Sequence, residues 1–156
     1  MPRRRLASRI LLVSQARRLL LFKISYKAGA RAGMSYWATP GGQLRDYESF
    51  EAAAMRELEE ETGVVVKSIG RCIARKEFPW QMPDGVYVLA VEHYYAVHVG
   101  AEHCSTTSWS LRERDAICDI KWWSESELTA CTEEILPSDL RTLFGEILLR
   151  MPGEFG

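Results

Sequence analysis

The residues best suited to chemistry fall in one stretch, Gly42-Gln43-Leu44-Arg45-Asp46-Tyr47-Glu48, and, after seven further positions, Arg56-Glu57-Leu58-Glu59-Glu60-Glu61-Thr62-Gly63-Val64. On an ideal helix advancing about 100° per residue, Glu57, Glu60 and Glu61 fall at roughly 0°, −60° and +40°, so the three carboxylates share a face. Glutamates on a helix ordinarily make a solvated outer surface. Here Phe50, Ala53 and Ala54 lie within about 60° of Glu57, which turns the acidic side toward the interior. Carboxylates about 6 Å apart repel by roughly 3 kcal/mol at an effective dielectric of about 20, so a partly covered trio needs a counter-charge. A divalent cation supplies it. Carboxylate oxygens select a hard ion, and magnesium keeps positions for water and substrate phosphates. Arg56 lies one turn before Glu60 and can pair with it, fixing that carboxylate's direction.

These side chains need a helix and a close loop to hold them. Ser49 to Thr62 is rich in good helix formers, with Asp46 or Ser49 as N-cap and Gly63 as the stop. The preceding Thr39-Pro40-Gly41-Gly42 is a backbone able to approach a ligand or metal closely. Loop and helix together hold a metal against a pyrophosphate, where cations neutralise phosphate charge and activate a water. Strands are predicted at Arg9 to Ser14, Leu19 to Ile24, Val64 to Ile69, Arg71 to Phe78, Val86 to Val99 and Ile117 to Trp123. Residues 25 to 36 read as a loop, and Ala101 to Arg114 as an irregular polar stretch. Ser124 opens a capping pattern with Glu127, and a last helix covers about Pro137 to Arg150, with Leu140, Leu143, Phe144, Ile147 and Leu148 at helical spacing. Strands flanking one helix, with a second helix closing the chain, imply an α/β (α+β) sandwich with a mixed β-sheet between helices.

The 156 residues, 47% of them hydrophobic, fit one domain, 1–156, with a real core. Twenty basic against 21 acidic residues, a net charge of −1, give no global attraction to a polyanion, so no general nucleic-acid binding is expected and phosphate recognition must be local. The apolar run after Arg3-Arg4-Arg5 is broken by Arg9 and too short for a membrane span, which makes the start a frayed, solvated terminus. Cys72, Cys104, Cys118 and Cys131 form no C-x-x-C pair, and a reducing cytoplasm fits them best. His93 and His98, on opposite faces of a strand, and His103 make a weak metal site.

The segment Gly42 to Val64 resembles the Nudix box, G-x5-E-x7-R-E-U-x-E-E-x-G-U with U a bulky aliphatic residue. Gly42, Glu48, Arg56, Glu57, Leu58, Glu60, Glu61, Gly63 and Val64 match all nine defined positions. The lead-in Trp37 to Gly42 also resembles many members. The resemblance implies a Nudix α/β/α sandwich over essentially the whole chain and a hydrolase cutting the diphosphate linkage of a nucleotide-like small molecule. It implies magnesium or manganese on Glu57, Glu60 and Glu61, often with a loop carbonyl, here Gly41. By the same likeness Arg56 orients the glutamates and Glu48 holds the loop to the helix. The base that deprotonates the water would be Glu57, Glu60 or a carboxylate from a later loop. Glu113 is the preferred later carboxylate, Glu102 and Asp115 compete with it, and Glu92 lies in a strand whose facing is open.

Tyr36, Trp37, Phe78 and Trp80 are candidates for stacking on a base. Trp37 is better read as core, and Phe78-Pro79-Trp80 as a loop edge. Lys27, Arg31 and Arg75 can meet phosphates, although an ordinary surface charge is the simpler role for each. Two further functions remain on the table: a non-catalytic nucleotide-binding module of the same fold, and an RNA 5'-end pyrophosphohydrolase, which would need a basic track. The substrate class and the oligomeric state, monomer or homodimer, are left open.

Overall fold

The computed structural model describes residues 3–151. The chain runs β1 (Arg4–Ser14), β2 (Leu19–Ser25), β3 (Ser35–Ala38), β4 (Gly41–Gln43), α1 (Phe50–Thr62), β5 (Ala74–Gln81), β6 (Tyr87–Val99), α2 (Leu111–Ala116), β7 (Ile117–Trp123), α3 (Glu125–Ala130), β8 (Ile135–Leu136) and α4 (Leu140–Arg150). The strands join in one mixed sheet in the order β5-β6-β1-β2-β3-β8, with β4 on β1 and β7 on β2.

β1 organises the sheet. One edge pairs in parallel with β6 from Arg4↔Leu89 to Ser14↔Val99. The other edge is divided: Ala7, Ser8 and Arg9 pair with β4, while Val13 pairs with Leu19 of β2. This division lets the Gly41 backbone run beside Arg9, against the C-terminal half of α1. Burial alternates into two cores because strand side chains alternate faces. Leu11 and Val13 pack with Leu128 of α3 and with Leu140, Leu143, Phe144, Ile147 and Leu148 of α4. Ile10 and Leu12 pack with Ala54 and Leu58 of α1. A mixed sheet between helical layers is the predicted α/β/α sandwich.

Several local expectations are corrected. The start is no frayed terminus from Arg4 onward, since β6 offers a full-length edge that strand β1 fills. Val64 to Ile69 forms no strand: Val64, Val66 and Ile69 cover the α1-side core by alternation, but no ladder partner meets them. Ser35–Ala38 in the supposed loop is strand β3, paired with β2 and β8. Phe78-Pro79-Trp80 lies inside β5 and not at a loop edge; Pro79 is tolerated because β5 ends the sheet. The polar stretch before β7 contains α2, whose capping box joins Ser110 and Glu113. The box at Ser124 and Glu127 opens α3. Among the described residues no helix is long and apolar enough to cross a membrane.

Candidate active site

α1 begins where Ser49 accepts the Ala52 amide at 3.0 Å and ends where Gly63, at φ 80°, donates its amide to the Glu59 carbonyl. Ser8 of β1 donates its hydroxyl to the Phe50 carbonyl at 2.6 Å, clamping the helix to the sheet. The acidic face then lies against β4. Glu57 and Glu61 are 9% and 6% exposed, so the face is turned inward as the apolar flank predicted. The Gly41 amide donates to Glu61 Oε1 at 2.6 Å. A Cβ on Gly42 would stand 2.5 Å from Glu57 Oε1, so only glycine lets the backbone pass this close.

Arg56 binds four groups at once. Nε and Nη2 grip the two oxygens of Glu48, each at 2.8 Å, Nη2 also reaches the Gln43 carbonyl at 3.1 Å, and Nη1 donates to Glu57 at 2.9 Å and Glu60 at 3.2 Å. Glu48 also accepts the Arg45 amide at 3.0 Å. These bonds, the Arg56 pair foremost, bring the Glu48 carboxyl down to about 2. The loop is thus tied to the helix through Glu48 and Arg56.

The structure brings together Glu57, Glu61 and Glu113, whose carboxylate oxygens lie within 4.8 Å of one another. Glu60 stands at the margin, half-buried and held by Arg45 at 3.3 Å and by Arg56. Glu113 arrives from α2. The Ser105 amide donates to the Thr62 carbonyl and the Trp109 indole to the Glu61 carbonyl, both at 2.8 Å, so the loop before α2 is pinned to the end of α1. The Ser110–Glu113 capping box then fixes one carboxylate oxygen of Glu113 at 2.8 Å from the Ser110 amide. That box was readable as S-x-x-E and was the missed signal for a helix here.

The electrostatics point to a shared counter-ion. Burial lifts the Glu57 carboxyl above its ordinary range despite the opposing pull of Arg56. Burial also lifts Glu61 far higher, with its hydrogen bond to Glu113 and the charge of Glu57 adding to the effect. Glu113 is subject to burial too, but the bonds from Glu61 and the Ser110 amide win and hold it below the usual value. Without a counter-ion, ionising all three carboxyls together is therefore unfavourable. An all-oxygen set, crowded, inward-facing and short of positive charge, fits a hard divalent cation.

The other candidates lie elsewhere. Glu102 is committed to Arg18 at 2.7 Å and Ser14 at 2.8 Å, and Asp115 pairs with Lys27 at 3.3 Å. Glu92 is buried on Arg9 at 3.2 Å and accepts the Tyr94 hydroxyl at 2.6 Å. Trp37 is 3% exposed, edge-on to Trp123 at 5.0 Å, within the α4-side core. Phe78 and Trp80 share one face of β5, while Arg75, of opposite parity, is exposed on the other, opposite His93. Arg31 is not a surface charge: it is 8% exposed, its guanidinium 4.0 Å over the Trp80 ring.

A NUDIX domain model matches residues 3–143. The chain belongs to the Nudix family. Within that family it is a hydrolase by membership, and the acidic face of α1 is its box. Solved Nudix structures share the fold at low identity. The MutT protein from Methanosarcina mazei is 20% identical, with 96% of each chain covered and a TM-score of 0.64. The NUDIX domain of Shewanella oneidensis NrtR, complexed with ADP ribose, is 19% identical over 97% of this chain and 91% of that one, at 0.65. A C. elegans Ap4A hydrolase is 14% identical over 94% and 96%, at 0.64. No curated protein matches the sequence.

Proposed function

We propose that this Nudix protein is a magnesium-dependent hydrolase that cuts the diphosphate linkage of a nucleotide-like small molecule, with manganese able to replace magnesium. The observation that carries the reading is the gathering of Glu57, Glu61 and Glu113 within 4.8 Å beside the Gly41-Gly42 backbone. Glu57, Glu60 and Glu61, with the Gly41 carbonyl, would hold the ion, which when bound screens the diphosphate and lowers the pKa of water. Arg56 keeps Glu57 and Glu60 aimed by bonding both from one guanidinium nitrogen. Glu113 serves as the base, since it is the carboxylate from outside the box that the Ser110 amide holds beside Glu57 and Glu61, within reach of a water at the ion. One water oxygen bonds to one phosphorus, its proton passes to Glu113, and the bridging P–O bond breaks with its electron pair on the departing phosphate.

Nucleotide-like substrates are supported by two of the solved relatives, one complexed with ADP ribose and one an Ap4A hydrolase. A cytoplasmic setting belongs to the same reading, supported by cysteines that stand as free thiols. The test is a hydrolysis screen over nucleoside triphosphates, nucleotide sugars, ADP-ribose and dinucleoside polyphosphates, with and without magnesium, in ¹⁸O-labelled water. Magnesium-dependent cleavage with label in one phosphate product is expected. Tight binding without cleavage of any class would instead support the non-catalytic nucleotide-binding module, and salt-dependent RNA binding with 5'-end cleavage the RNA-directed alternative.

A further inference from the structure

The loop between β2 and β3 carries a buried cation that no carboxylate among the described residues pairs with. Arg31 lies with its guanidinium 4.0 Å over Trp80 and 5.4 Å from the Tyr26 ring. Its Nε is buried and without a hydrogen-bond partner, and among the described residues it makes no ion pair. The placement is built, since the loop folds on itself through Tyr26, Gly33, Met34 and Arg31 backbone bonds and ties to the β5–β6 turn by Ala30 N–H to the Pro83 carbonyl at 2.9 Å. Gly29 is at φ 83°, and a Cβ there would fall 2.6 Å from the Pro83 oxygen. The cation is therefore held in place by its frame.

The surroundings are polar and short of negative charge. The Tyr26 and Tyr36 hydroxyls meet at 3.0 Å, and Tyr36 stands edge-on to Trp80 at 5.8 Å. Arg5 presents a second buried, unpartnered Nε. Its guanidinium is pushed below its ordinary value by burial and then by the charge of Arg9, with Glu92 opposing. Glu92 forms its ion pair with Arg9 at 3.2 Å and answers Arg5 only through space. Arg9 in turn links this cluster to the carboxylate site, since it reaches the Thr39 carbonyl at 3.4 Å and packs where a Gly41 Cβ would be. The Trp80 face under Arg31 is closed to a nucleobase, which leaves the guanidinium's outer edge as the recognising group.

We propose that Arg31, framed by Trp80, Tyr26 and Tyr36 and assisted by Arg5, is a subsite for a phosphate group of the substrate beyond the scissile diphosphate. The substrate class is then polyphosphorylated, a nucleoside triphosphate or dinucleoside polyphosphate, in preference to a nucleotide sugar with a neutral far end. A guanidinium offers paired N–H donors that match phosphate oxygens, and stacking on indole keeps it planar and aimed. The substrate assignment rests on the hydrolase reading; the anion site does not.

Two measurements separate them. Inorganic phosphate titrated into the metal-free protein should give a saturable shift of the Trp80 indole N–H signal, assigned with Trp80→Phe, in wild type and Arg31→Lys but not in Arg31→Gln. No saturable shift, or the same shift in Arg31→Gln, overturns the subsite even if hydrolysis is observed. In steady-state kinetics, Arg31→Gln should lose roughly 10- to 100-fold in kcat/KM on diadenosine tetraphosphate and far less on diadenosine diphosphate, which has the same bases and sugars. An equal loss on both compounds, or a loss that follows guanine against adenine, overturns the phosphate assignment. If nothing is hydrolysed, the functional reading fails while the phosphate titration still decides the subsite.

Discussion

The Trp109 indole N–H donates to the backbone carbonyl of Glu61 at 2.8 Å, so the residue whose side chain lies deepest in the acidic cluster is also the anchor of the loop that delivers Glu113. The loop leading into α2 is therefore held on the last turn of α1, at Glu61 and, through the Ser105 amide, at Thr62. Trp109 stabilises the arrangement from its other side by standing edge-on to Phe22 at 5.7 Å.

Trp109→Phe keeps the packing on Phe22 but removes the donor. Manganese affinity and turnover should each fall by about 10- to 100-fold, as for partners that orient ligands from outside the ligand shell. Calorimetric titration with manganese, alongside kcat, checks this. Unchanged affinity with unchanged melting would show that Glu113 needs no tether.

Gly42→Ala places a methyl 2.5 Å from Glu57 Oε1 and 2.7 Å from its carboxyl carbon. Displacement of a carboxylate by about 1 Å should cost on the order of 100-fold in turnover while far-ultraviolet dichroism stays that of the folded protein. A variant of full activity would mean that Glu57 does not need its present position.

Glu48 gives a pH signature. Its folded pKa of about 2 lies below the ordinary 4.5, so its bond to Arg56 contributes fully above about 4.5 and is lost as pH falls toward 2. Urea unfolding should show Glu48→Gln less stable than wild type by roughly 1–3 kcal/mol at neutral pH, the two curves converging in acid. A difference independent of pH would remove the ionic part of that account.

The Arg9–Glu92 pair is mostly buried and stands between both candidate sites. Glu92→Leu strands the Arg9 charge and should cost about 3–5 kcal/mol, whereas Arg9→Met with Glu92→Leu should recover much of it. Thermal melting of the single and double variants decides. A double-variant loss equal to the sum of the Glu92→Leu and Arg9→Met losses would show that the pair carries no coupling.

The sequence made the α1 side of this site legible because helical spacing is local: the angles that grouped Glu57, Glu60 and Glu61 need no tertiary contact, and Ser49 and Gly63 cap the helix by backbone chemistry alone. The same local reading placed β2, β6, β7 and α4 to within a few residues, and β1 only from Arg9 onward. It failed where a partner decides. Val64 to Ile69 has the strand alternation but meets no open sheet edge, and Ser35–Ala38 is short but finds one. Glu113 could be preferred among later carboxylates from its position, yet its arrival against Glu61 depends on Trp109 and Ser105 reaching across to α1. Arg31 is buried without any local signal of it. A lone arginine in a glycine-containing loop carries no sign of burial, and only Trp80, some fifty positions away, supplies the ring that covers it.

The central claim is that the inward carboxylates capture a hard divalent ion. A crystal soaked in manganese and measured at the metal's absorption edge tests it most directly. An anomalous peak bonded to oxygens of Glu57 and Glu61 at about 2.2 Å, with Glu113 or Glu60 beside it, is the predicted result. A map with no peak there, and with Glu61 still bonded to the Gly41 amide and to Glu113, would contradict the account.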